Sequence, residues 1–194
     1  MKRNLSLWSI IGFTFTSVCG VLLHFIYDWS GKSKIAALFS GVNESVWEHI
    51  KLLFFPLLIF AIIQSFYFRE YKSFWCVKLI SAIIGTAAIP IIFYTLNGAF
   101  GKTPDVINIT IFVVSAALAF LYEWLLFKRD NLRFCYPRAA IFLLLLGAVC
   151  FFVFTFYPPR LPIFADPITN SYGIWRKFFF LEYFSWLYAF NVLS

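Results

Sequence analysis

Five stretches of this chain, 4–27, 52–68, 79–101, 106–122 and 139–159, contain no Asp, Glu, Lys or Arg. Each reaches the roughly 17–25 residues that a helix needs to cross the hydrocarbon core of a bilayer. In lipid the backbone polar groups must find partners within their own segment, so stretches of this kind form helices. Of the 194 residues, 62% are hydrophobic and 13% charged, against about 25% charged in an average soluble domain. A soluble fold of this length would have to leave much of that apolar surface in water. The 27 Phe and 7 Trp suit lipid-facing surfaces and interfacial belts.

The pattern predicts an all-α, polytopic transmembrane helical bundle forming one domain over 1–194. Its spans are expected at about 5–27, 44–68, 76–100, 105–127, 137–158 and 175–194. The second starts early because Asn43 suits an N-cap and Glu44 the positive helix end. The sixth is opened by Arg176 and Lys177 and interrupted by Glu182, yet shows no broad polar face. Five spans plus an interfacial C-terminal helix is the alternative. Met1-Lys2-Arg3 before an apolar run resembles a signal peptide, but no small-residue cleavage site follows, so the run reads as a retained first helix.

The net charge of +7 does not indicate nucleic acid, because the basic residues lie singly or in pairs between apolar runs, as juxtamembrane charges do. With the N-terminus inside, nine Lys and Arg fall on the inner side and seven on the outer. The bias favours a cell-membrane protein with a cytoplasmic N-terminus. Cys19, Cys76, Cys135 and Cys150 match no zinc spacing, and Cys19 and Cys150 read as free thiols in apolar segments. Pro56 and Pro90 fall inside spans and are expected to bend them.

The titratable residues are unevenly placed. His24 and Asp28, then Glu44, Glu48 and His49, then Asp166 and Glu182 all belong to one side of the membrane whichever way the chain is oriented. His24 and Asp28 are i, i+4 and share a helix face, as Glu44 and Glu48 would. His49 points about 100° away from Glu48. Ligands for a metal would therefore come from separate helices, with His24, Asp28, Glu44 and Glu48 as candidates and zinc, manganese or iron as the matching divalent ions. His49, Asp166 and Glu182 are the candidate catalytic groups. Each residue has an ordinary reading as well: Glu48 and Lys51 pair at i, i+3, Asp28 and Glu44 are solvated, His24 is a hydrogen-bonded core histidine. Ionisable groups in spans are costly, which favours function for the group. Glu123 is expected to reach the opposite interface beside Lys128 and Arg129, and Thr95 and Asn97 to hydrogen-bond between helices. Pro158-Pro159 and Asp166-Pro167 predict a stiff loop that lids the polar cluster.

Three stretches carry a resemblance. His24-Phe-Ile-Tyr-Asp28-Trp-Ser-Gly31, Val42-Asn-Glu-Ser-Val-Trp-Glu-His49 and Leu161-Pro-Ile-Phe-Ala-Asp-Pro167 with Tyr172-Gly173 resemble a family of small bacterial multi-pass membrane proteins of unknown function. The resemblance implies a bacterial inner-membrane protein and no activity. Membrane proteases of the paired-glutamate type and membrane hydrolases with three histidines do not fit, because the chain has two histidines and no Glu-Glu pair. The residues point first to a membrane-embedded, metal-dependent hydrolase acting on a lipid or isoprenoid-like small molecule at an extracytoplasmic face. A small-solute or proton-coupled transporter using His24 and Glu182, or a non-catalytic subunit of a membrane complex, are the alternatives.

Overall fold

The structure is a computed structural model that describes residues 4–101, 104–129, 132 and 135–174. Six helices make up almost all of it: α1 (Leu5–Trp29), α2 (Lys34–Phe39), α3 (Val46–Ser65), α4 (Phe74–Phe100), α5 (Asp105–Arg129) and α6 (Pro137–Phe156). A 3-10 turn follows at Pro162–Phe164. Five helices are long and apolar enough to cross a membrane; α2 is a six-residue helix in the connection between α1 and α3. The proposed sixth span at 175–194, with Glu182, lies outside the described residues.

α3 is the axis of the bundle. In its apolar window 67% of residues are buried, against 17% for α1. Leu53, Leu57, Phe60 and Ala61 are enclosed by α1, α4 and α5. Pro56 and Pro90 are accommodated inside continuous helices. α4 and α5 lie along one another, with α6 against α4 on the far side from α1. Close approach is made by small residues, the usual device where lipid removes the drive to bury apolar faces. On α1, Gly12, Thr16 and Gly20 form one buried line at i, i+4, i+8. A Cβ at Gly20 would overlap the Phe112 ring of α5, and one at Gly85 of α4 would overlap Ala119 of α5.

At the end of the bundle where α1 begins, Phe68, Phe74, Val77 and Phe127 form a separate aromatic cluster. Here the structure corrects one reading and adds a covalent bond. Glu123 does not reach out to Lys128 and Arg129; it is fully buried and accepts a 2.6 Å bond from Lys78 Nζ. Lys78 is ringed by Phe60, Phe74 and Phe120. Cys76 and Cys135, to which the sequence assigned no partner, form a disulfide with Cα atoms 5.8 Å apart, whereas Cys19 and Cys150 are free. Thr95 and Asn97 bond back to Ile91 and Phe93 carbonyls of their own helix.

Candidate functional site

At the opposite end, the connection into α3 carries most of the chemistry. Ser45 is the N-cap, its hydroxyl accepting from the Glu48 amide at 3.4 Å, and Asn43 Oδ1 accepts from the Ser45 amide at 3.0 Å. The helix therefore begins at Val46 rather than near Asn43. Glu44, just before the cap, is not on the helix and does not share a face with Glu48.

The two glutamates part company as a result. Glu48 turns inward, 1% exposed, where its carboxylate accepts from Lys51 Nζ at 2.6 Å and from the Val42 amide at 3.1 Å. Lys51 Nζ also donates to the Ala37 carbonyl at 2.8 Å and to Thr155 Oγ1 at 2.9 Å. All three ammonium hydrogens are thus used, as a buried charge requires. The pair fastens α2, α3 and α6 together.

Glu44 turns the other way, between two imidazoles. Its Oε1 lies 3.5 Å from His24 Nε2, and its Oε2 lies 3.6 Å from His49 Nε2. One ligand atom from each of the three residues falls within 4.8 Å of the others. The separations exceed the 2.7–3.2 Å of a good hydrogen bond. They approach the edge of about 3.4 Å that ligands span on a tetrahedral zinc with bonds of 2.0–2.1 Å. His49 is oriented for ligation: its Nδ1 donates to the Ser45 carbonyl at 2.9 Å, an acceptor only, which turns Nε2 toward Glu44. His24 stands edge-on to Phe25. All three side chains keep partial exposure, from 22% to 42%, so a ligand can reach them.

Two cavities flank the cluster, one of about 390 Å³ beside α1 and α5 and one of about 260 Å³ between α3, α4 and α5. The loop after α6 roofs both through Ile168. Asp166 holds that loop in shape: Oδ1 accepts from the Ile168 and Thr169 amides at 2.7 and 3.2 Å, and Oδ2 from the Thr169 hydroxyl at 2.8 Å. A bridge from Ala165 to Tyr172 closes the loop, and Asn43 Nδ2 donates to the Gly173 carbonyl at 3.1 Å. Gly173 has φ +57°, and its Cα packs so closely on the Thr155 carbonyl that a Cβ would collide with it.

Of the residues singled out in the sequence, the structure thus gathers His24, Glu44 and His49. Glu48 is bound to Lys51 and Asp166 to its own turn, while Asp28 is exposed at the end of α1, outside the three-residue group. Asn108 of α5 lines both cavities, and the sequence carries no signal for it, since a lone Asn in an apolar run has no spacing to mark it.

The fold and this site define a class: a polytopic helical bundle, built of segments able to cross a bilayer, with a His–Glu–His cluster at one end. The chain belongs to the family of unknown function DUF6512, whose model matches residues 1–174. No curated protein and no solved structure matches it.

Proposed function

We propose that the protein is a membrane-embedded hydrolase that uses a divalent metal, zinc by preference, held by His24, Glu44 and His49. The observation that carries this reading is the group of ligand atoms, one from each of His24, Glu44 and His49, within 4.8 Å of one another, with the two Glu44 oxygens 3.5 and 3.6 Å from the two Nε2 atoms and one imidazole already tied back through Nδ1. Two histidines and one glutamate are a catalytic ligand set: three protein ligands leave a fourth position for water, whose pKa zinc lowers to about 7. Manganese and iron accept the same donors, with less preference for four-coordination.

Metal analysis of the purified chain after zinc loading and removal of excess tests the reading. About one zinc per chain is expected, falling to near zero in His24→Ala and His49→Ala while helical content is retained. Absence of bound zinc in the parent, or zinc in both variants equal to that of the parent, overturns it.

A further inference from the structure

The two cavities adjoin: Glu44, His49, Asn108, Phe112 and Ile168 line both, so the polar atoms stand at their common boundary. Beyond it the walls are mainly apolar on either side: Val21, Phe25, Leu52 and Ile109 in the larger lobe, Val46, Ile89, Phe93 and Ile111 in the smaller, where Asn97 is also part of the wall. A single-tailed amphiphile needs one apolar lobe ending in a polar terminus, and a second lobe would stay unfilled. A junction with hydrocarbon on both sides matches a molecule whose polar linkage lies in its middle.

We infer that the site takes a lipid ester whose carbonyl lies between two hydrocarbon chains, one chain in each lobe and the ester at the His24–Glu44–His49 junction. The inference rests on the hydrolase reading above. Access fits it: Val21, Phe25 and Ile109 are 46%, 45% and 60% exposed on the outward surface of the bundle, so the larger lobe opens sideways toward lipid. Charge fits it as well. A dication with Glu44 and two neutral imidazoles leaves one net positive charge, which favours the carbonyl oxygen as it becomes negative and the carboxylate product. In the reaction the oxygen of water bonds to the carbonyl carbon and the bond from that carbon to the alkoxy oxygen breaks. The alkoxy oxygen takes up a proton from water, giving one fatty acid and one fatty alcohol.

Zinc-loaded full-length protein in detergent micelles, supplied with oleyl oleate or with methyl oleate, tests this through release of oleate. The two esters share the acyl chain and differ only in the second arm. A kcat/KM at least about tenfold higher for oleyl oleate is expected, since even one methylene in an apolar pocket is worth about tenfold or more. Val21→Trp and Ile109→Trp, both on the outward surface of the larger lobe, are expected to reduce that ratio to near one while zinc content stays that of the parent. Equal cleavage of the two esters, or a ratio untouched in both variants, overturns the two-chain assignment and leaves the hydrolase reading standing. Cleavage of neither ester by zinc-loaded protein overturns both.

Discussion

Glu44 and Glu48 are four residues apart and have opposite surroundings, and the reason is the position of one helix end. Residues at i, i+4 share a face only where both are helical. The cap at Ser45 places Glu44 before the helix and Glu48 inside it, so His49 meets Glu44. Ser45-Val-Trp-Glu48 has the spacing of a capping box, in which the glutamate would turn back to the cap amide. Here Asn43 satisfies that amide and leaves Glu48 for Lys51. The pairing of Glu48 with Lys51 was legible as an i, i+3 spacing; the Ala37 carbonyl and Thr155 hydroxyl that complete it come from distant segments and were not. Removing one partner of a buried pair leaves an uncompensated charge and costs about 3–5 kcal/mol, whereas removing both leaves none. Glu48→Gln is therefore expected to lower the thermal transition strongly, and Glu48→Leu combined with Lys51→Met to restore much of it. A single variant as stable as the parent would show that the pair does not hold α2, α3 and α6 together.

For the helices, length and freedom from charge were enough to place five of them to within a few residues, because a bilayer sets the length of a span and the backbone has no alternative to the helix. How they pack was less legible. Apolar residues all round a helix hide which face is inward, and the informative residues are the small ones: Gly12, Thr16 and Gly20 on α1, Ser81 and Gly85 on α4, Ser115 and Ala119 on α5. Overfilling such a seam costs about 1–3 kcal/mol or more. Gly12 faces the Phe60 and Phe120 rings, while a Cβ at Gly98, in the last turn of α4, would have nothing within 4 Å among the described residues. Gly12→Leu is expected to destabilise the bundle, and Gly98→Ala to be neutral or to stabilise by up to about 1 kcal/mol through helix propensity. Thermal unfolding of the two variants beside the parent checks this; equal losses would mean that α1 does not pack through its small residues.

In the whole molecule the His–Glu–His cluster and the Cys76–Cys135 bridge stand at opposite ends of the bundle, the first where α1 ends and α3 begins, the second where α4 and α6 begin. That separation bears on orientation. The Lys and Arg count of nine against seven favoured the bridge end inside, but it included Lys51 and Lys78, both buried in ion pairs and silent as interfacial charges. Without them it is 9 − 1 against 7 − 1, eight to six, still a narrow margin. Disulfides persist in oxidising compartments and are rare in a reducing cytosol. A bridge between two segments 59 residues apart is thus the stronger signal, and it argues for the bridge end outside and the cluster end facing the cytoplasm, the reverse of the orientation read from charge. In that orientation a substrate of the proposed hydrolase would arrive from the inner leaflet. Intact cells expressing the protein, treated with a membrane-impermeant phosphine and then an impermeant maleimide, provide the check. Labelling of Cys76 and Cys135 is expected only after the phosphine and without permeabilisation. Labelling that requires permeabilisation would return the cluster to the outer face and leave the bundle and its site geometry as described, whereas labelling without reductant would show that the two thiols are not bridged.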